Sequence, residues 1–520
     1  MATPAVKIDS NVTGLRYAKE SAVLGTLPGS PIWVPMEPNS YSGGFGGNIK
    51  TVARNPINPS RQRKKGVTTD LDAAGGLISD ITQTNLQELL TGLFFAAFRR
   101  KPEYGVDPAQ DFSGIATSDD SYNAATGLAA FVPLSLVFAS GFTNAANNGL
   151  KNVATVAAGK ITVTQNLVDE TPAAGVGSLV SVGYQFASGT LNVDISGTWP
   201  KLLRASGAVD FTTLGLTPGE MIYVGGDTVG KKFVNALNAG FCRVRSVAAT
   251  YIELDKTAFT MAAETGTGLT VQIFYGRVLK NELGTNIVRS SFQLERTLGA
   301  ADLDQPTQIQ AEYIVGAVPN TAKLQVPTAD KVTFDLAFVG IDSQTRDGVT
   351  GVKTGSRPAL VESDAFNTSS DVSKIKLAPV VSGNANPSPL FSYIQDLNID
   401  FNNNIAPNKA VGVLGAFDLS TGTFAVSGDL KAYFSDVAAI AAVRANTDIT
   451  FESHFAKANS GFSLDLPLVT LGNGQPEVAQ DTAVLIPLNL DAATGAKVDP
   501  NKDHTALMVF FDYLPSAAEA

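Results

Sequence analysis

Chemistry in this 520-residue chain would have to come from two histidines, one cysteine, or closely spaced carboxylates. Asp70 with Asp72, or Asp396 with Asp400, could divide acid and base roles or begin a cation site, since paired carboxylates offer several hard oxygens. Neither pair brings a further partner set, and each falls on a strand or turn, where a solvated face is the ordinary account. His454 lies in the alternating run Phe451-Glu-Ser-His-Phe. As a general base it would need a nucleophile and an orienting acid that the sequence does not place. Cys242 alone excludes an internal disulfide and any multi-cysteine zinc site, and suits a small buried hydrophobe. Gly215-Leu-Thr-Pro-Gly-Glu and Val224-Gly-Gly-Asp-Thr-Val-Gly-Lys-Lys invite comparison with phosphate loops. No Gly-Lys-Ser/Thr follows and the glycines sit between strands, so hairpin turns account for them better. The expectation is a protein with no catalytic residues, no metal and no cofactor.

The elements that would carry such residues are mostly strands. Gly, Thr, Asn, Ala and Val abound while sustained helical periodicity is rare, which predicts an all-β chain with many short strands and a minor helical part. The length allows two to four domains and a large core without staples. A formal net charge of -10 argues against a dedicated nucleic-acid binder, whose footprint is basic. The first residues, Met-Ala-Thr-Pro-Ala-Val-Lys-Ile-Asp, carry no secretory signal, so a cytoplasmic protein is expected. Gly127 to Phe142, apolar and uncharged but broken by Pro133, is too short to span a membrane and reads as a buried strand pair.

One unit comes twice. Ile49 to Phe98 reads as strand, long loop, strand and helix, and a diverged version runs from Ile394 to Arg444. At a constant offset Ile57 falls on Ile405, Pro59 on Pro407 and Asp70 on Asp418, and Ser79-Asp80 lies near Ser427-Gly428-Asp429 after a slip of one residue. Such duplication lets a chain build a symmetric object from fewer subunits. From Pro38 to Thr69 the first copy carries Lys50, Arg54, Arg61, Arg63, Lys64 and Lys65 with no acidic residue. Three readings fit this basic arm: a solvated loop, a docking arm for an acidic surface on an identical neighbour, or a nucleic-acid patch. The last lacks the interleaved aromatics that stack on bases. Thr82 to Phe98 predicts a helix capped by Thr84 with Glu88 in an early turn. Its stripe Leu86, Leu89, Leu90, Leu93, Phe94, Ala97, Phe98 would pack on its own sheet. A second, shorter helix is expected over Ser435 to Arg444. Trp33 reads as a core or interface anchor.

Between 106 and 279 a smaller repeat appears. Asn147-Asn-Gly-Leu-Lys-Asn-Val-Ala-Thr-Val, Lys160-Ile-Thr-Val and Glu170 line up with Asn238-Ala-Gly-Phe-Cys-Arg-Val-Arg-Ser-Val, Tyr251-Ile-Glu-Leu and Glu264. Two small β-barrel or β-sandwich modules are expected there, inserted between a first module at 1–105 and a second at 280–520. A flexible stretch is expected at 342–373, and the apolar run Ala506 to Leu514 should form a central strand.

Asn58-Pro-Ser-Arg-Gln-Arg-Lys-Lys-Gly-Val-Thr-Thr-Asp-Leu-Asp-Ala-Ala-Gly-Gly, followed by Thr84-Asn-Leu-Gln-Glu-Leu-Leu-Thr-Gly-Leu-Phe-Phe-Ala, resembles the major tail tube proteins of bacteriophages with long, non-contractile tails. Phe292-Gln-Leu-Glu-Arg-Thr-Leu-Gly, Glu312-Tyr-Ile-Val-Gly-Ala-Val-Pro-Asn and Gly428-Asp-Leu-Lys-Ala-Tyr-Phe do so as well, and the resemblance covers both flanks of the insertion. It implies two tail-tube-like β-sandwich modules, each with a long loop and one flanking helix. It also implies a structural virion protein, assembled in the host cytoplasm, whose stacked rings form the tail tube that conducts DNA to the host. A duplicated module implies a trimer mimicking six-fold symmetry. The implied partners are the chain itself, the tape measure protein, the tail terminator and tip proteins, and phage DNA passing without specific binding, with no membrane. On this view Lys50, Arg54, Arg61, Arg63, Lys64 and Lys65 dock between rings. Asp70, Asp72, Asp418 and Asp429 are the expected lumen lining, since a basic wall would hold DNA back. A modular β-rich surface adhesin or a capsid decoration protein remains the alternative.

Overall fold

The computed structural model describes residues 13–57, 59–60, 62–107, 109–205, 207, 209–299, 309–347 and 351–519. Arg61 lies outside them. The described residues form antiparallel sheets with two short α-helices and several single 3-10 turns. They divide into two compact units, each assembled from separate stretches of chain: 1–97, 281–366 and 395–430 make the first, and 98–280, 367–394 and 431–520 the second. Among the described residues no helix is long and apolar enough to cross a membrane.

In the first unit, Gly14–Lys19 pairs with Val34–Met36 on one side and Phe292–Gly299 on the other. The chain then turns back through the 17-residue strand Gln310–Val326 to Thr333–Gly340, which in turn pairs with the end of Lys64–Asp80. Asp342–Arg346, within the stretch expected to be flexible, is a strand on the first half of Gln310–Val326. Apolar residues alternate along Thr333–Gly340 because one sheet face meets the core. Trp33 is fully buried, edge-on to Tyr313 at 5.7 Å, and its indole N–H donates to the Thr354 carbonyl at 3.1 Å.

The first helix is shorter than its apolar stripe predicts, Gln87–Phe94 instead of Thr82 to Phe98. Thr84 does not cap it; the Thr84 hydroxyl meets that of Ser363. Asn85 holds the entry in a non-helical turn, accepting from the Thr82 N–H and donating to the Asp80 carbonyl, and Leu86 adopts a left-handed conformation. Phe95 is left-handed too and closes the far end. Side-chain hydrogen bonds to local backbone compete with the helix and win at this end. Gly92 lets the helix lie close to its sheet, since a Cβ there would stand 2.8 Å from Phe292 and 3.0 Å from Pro319. Phe94 packs against Phe401 and Phe424, and the Asn403 amide donates to the carbonyls of Leu93 and Pro319.

The second unit contains a 14-stranded sheet whose strands run from Glu103–Tyr104 to Gln272–Phe274, with two apolar cores. The small repeat seen in sequence is repeated in detail. Glu170 accepts from the backbone N–H groups of Thr143 and Asn144 and from the Asn147 amide, while Glu264 accepts from Val234, Asn235 and Asn238 in the same way. Each carboxylate thereby ties down the turn that launches the next strand, Gly149–Ala157 or Gly240–Ala248. Gly127 to Phe142 is not a strand pair: Leu128–Ala130 is a 3-10 turn and only Ser135–Ser140 is a strand, because Pro133 and the left-handed Leu134 separate them. Cys242 is buried, and desolvation pushes its thiol up to about 12.

The rest of the second unit packs the strands Val372–Pro379, Ile449–Lys457, Ser460–Asn473, Leu485–Ala493 and Leu507–Phe511 in a further antiparallel arrangement. Leu507–Phe511 is wholly buried and paired on both sides, as a central strand should be. The second helix, Ala438–Ala445, rests on Ser460–Asn473 and ends at the left-handed Asn446. A buried ionic cluster lies in this unit. Arg243 donates to Asp255 at 2.8 and 2.9 Å and to Asp465 at 3.2 Å, Lys256 reaches Asp465 at 2.7 Å, and Lys502 bonds Asp255. With Asp499 nearby, three buried cations meet three buried carboxylates.

Candidate assembly interface

The strand Lys64–Asp80 belongs to its sheet only from Ala73 onward, where Thr333–Gly340 pairs with it. Before that point its one strand partner among the described residues is Phe45–Arg54, and the two leave the sheet as a ribbon. A two-stranded hairpin is marginal in water unless a third surface covers it. Here Val52 sits opposite Val67 with 58% and 55% exposure, Ile49 is as exposed, and Ile57 near the tip is fully exposed. Arg54 stands directly opposite Lys64, and like charges so placed are destabilising. Arg54, Arg63, Lys64 and Lys65 are all exposed and make no ion pair within the described residues.

Lys50, at the base of the ribbon, behaves differently. It contacts Asp70 at 3.2 Å and also Asp72, and Lys409 from the second hairpin reaches Asp70 at 2.6 Å and Asp72 as well. Hydrogen bonds from Lys409, seconded by Lys50, hold both carboxyls below their usual range, and each lysine is raised in turn by its own hydrogen bonds to the two carboxylates. One residue expected in the arm and two expected in the lumen are thus brought into a single neutralised cluster. Sequence reasoning passed over Lys409, although the offset that sets Ile57 on Ile405 puts it opposite Arg61. Asp418 is exposed opposite Asn408, and Asp429 is exposed and accepts from the Asn398 amide at 2.9 Å. The second hairpin, Ala406–Asn408 with Asp418–Ser420, leaves Val411, Val413, Leu414 and Phe417 exposed.

Nothing comparable surrounds the residues that could do chemistry. His454 Nδ1 lies 2.8 Å from Ser463 Oγ and Nε2 lies 3.9 Å from Glu452, a nucleophile-base-acid order on paper. All three are buried in strand pairs and His454 stacks on Phe241 at 4.4 Å, so no substrate reaches them. Burial pushes the imidazole down to about 4, outweighing the attraction of Glu452. The unfolded chain takes up this proton near pH 6.5 and the folded chain does not, so the contribution is intact above that pH and fades as pH falls toward 4. Unfolding free energy should drop by up to about 3 kcal/mol over this window. In His454→Gln the slope should be shallower, with His504, also lowered by burial, supplying the remainder. Denaturant titrations at stepped pH check this; a flat profile from pH 7 to 4.5 would contradict it. Asp396 and Asp400 share a strand but join no metal-binding group among the described residues, and Val229–Lys231 is a 3-10 turn and not a phosphate loop.

The family model described as Phage tail tube protein matches residues 10–492. The chain belongs to the phage tail tube protein family. No curated protein matches it. As a tail tube protein it is a structural, non-catalytic component of the virion tail, and its β-rich fold with two short helices is that of tail-tube-like sandwich modules. The exposed ribbon is therefore the feature of this tail tube protein that calls for a partner.

Proposed function

We propose that this chain polymerises as stacked rings that form the tube through which phage DNA passes to the host, with the basic ribbon docking on a neighbouring copy. The observation that carries this reading is the ribbon, whose exposed valines and unpaired cations are costly in an isolated chain and complementary to an acidic, partly apolar neighbour. Arg54, Arg63, Lys64 and Lys65 would make the docking contacts, joined by Arg61. Lys50 would serve to brace the base.

Each ring would hold three chains, with two tube modules per chain at 1–105 and 280–520 around the insertion at 106–279. The order of elements supports duplication. Hairpin, helix Gln87–Phe94, Phe292–Gly299, Gln310–Val326 and Thr333–Gly340 recur as hairpin, helix Ala438–Ala445, Ile449–Lys457, Ser460–Asn473 and Leu485–Ala493, with each strand antiparallel to the next in both sets. Strand pairing favours moving 292–340 from the second module to the first, whose strands Gly14–Lys19 and Lys64–Asp80 it pairs with, so the second copy would begin after that stretch and not at 280. The tape measure protein and the terminator and tip proteins would be the partners at the lumen and the two ends.

The lumen should not hold DNA. Asp70 and Asp72 are compensated by Lys50 and Lys409, so of the four expected lining residues Asp418 and Asp429 would keep the wall acidic. Assembled tubes mixed with double-stranded DNA should show no retention in co-sedimentation at low or physiological salt, because each neutralised phosphate would add affinity through counterion release. Tight, salt-sensitive binding would overturn the acidic-wall reading.

A further inference from the structure

The strand Lys64–Asp80 carries the basic ribbon at its first residues, and its last residues open onto a groove of opposite charge. That cleft, 720 Å³ in volume, is lined by Glu37, Asp80, Glu362 and Asp364, with Leu360 and Val361 exposed beside them, and no lysine or arginine lines it. Asp80 is engaged by Asn39 and Lys331, whereas Glu37, Glu362 and Asp364 are exposed and make no ion pair within the described residues. The two features are separated by most of one extended strand, about 50 Å of chain at roughly 3.3 Å per residue.

We infer that this groove is the seat for the ribbon of a second copy of this chain. Four unpaired cations and an exposed isoleucine at one end of a strand meet, in the next copy, three unpaired carboxylates and two exposed aliphatic side chains at the other end. Head-to-tail contact between two different patches either closes into a ring or repeats along an axis, according to the rotation it carries, and repeated along an axis it gives the stacking a tube requires. Charge complementarity of this kind also sets polarity: ribbon against ribbon and groove against groove both repel. The inference rests on the proposed docking role of the ribbon and adds where the ribbon goes.

The test uses two full-length variants. One reverses the ribbon (Arg54→Glu, Arg63→Glu, Lys64→Glu, Lys65→Glu) and the other reverses the groove (Glu37→Lys, Glu362→Lys, Asp364→Lys). Neither should form tubes alone, and an equal mixture should form them, since each reversed surface then faces its complement in the other variant. If the ribbon variant polymerises alone, the docking role itself is wrong. If only the groove variant polymerises alone, the docking role stands and the groove is not its seat. Failure of both, with no rescue on mixing, also overturns the assignment. A milder groove variant (Glu37→Gln, Glu362→Gln, Asp364→Asn) guards against misfolding. It should raise the protein concentration needed for tubes by about tenfold or more, and an unchanged threshold would overturn the inference.

Discussion

Replacing Asp465 with alanine should destabilise the second unit by about 3–5 kcal/mol, the loss typical when one member of a buried ion pair is removed. Asp465 is fully buried and receives Arg243 and Lys256 at 3.2 and 2.7 Å, so its removal takes the carboxylate from buried Lys256 and leaves Arg243 with Asp255. Burial alone would raise its carboxyl, but Arg243 and Lys256 hold it far below the usual range. The stabilisation is therefore complete above the ordinary carboxylate pKa of about 4 and is lost as pH falls below it. Asp465→Asn keeps the shape and one acceptor and should cost less than the alanine. Denaturant unfolding at neutral pH measures both; a loss below about 1 kcal/mol for the alanine variant would show that the cluster is hydrated and not structural.

Reversing Arg54, Arg61, Arg63, Lys64 and Lys65 together to glutamate should abolish polymerisation while leaving the melting behaviour of the subunit unchanged. The cluster is needed because one exposed pair contributes only about 0–1 kcal/mol, so each single substitution should shift assembly slightly. Subunit stability should be preserved because Arg54, Arg63, Lys64 and Lys65 are exposed and belong to no apolar core. Assembly of the parent should also weaken as salt is raised, since exposed charges more than about 10 Å apart are screened at 0.1 M. Light scattering and negative-stain microscopy read both effects. Normal tubes from the five-fold variant would reduce the ribbon to a loop.

Local patterns were readable from the chain and distant encounters were not. Glu170 and Glu264 could be matched because each closes a turn within 30 residues of itself, so duplication preserved the whole device. The basic ribbon was visible as charge without compensation. Asp70 and Asp72 read in the sequence as uncompensated acids, because Lys409, which reaches both, lies more than 300 residues away. Asp465 gave no signal for the same reason: Arg243, Lys256 and Lys502 come from separate stretches, and alternation along Ser460–Asn473 marks it only as one more residue of a strand. The helix was placed correctly but drawn too long, since the apolar stripe continues past both ends while Asn85 and the left-handed Leu86 and Phe95 fix where it stops.

Counting chains in an assembled ring tests the central claim most directly. Reconstruction of polymerised protein, or mass measurement of isolated rings, should give three chains and six tube modules per ring, with the ribbon of each chain seated on another copy. Six whole chains per ring, or compact monomers under conditions that favour assembly, would contradict the account.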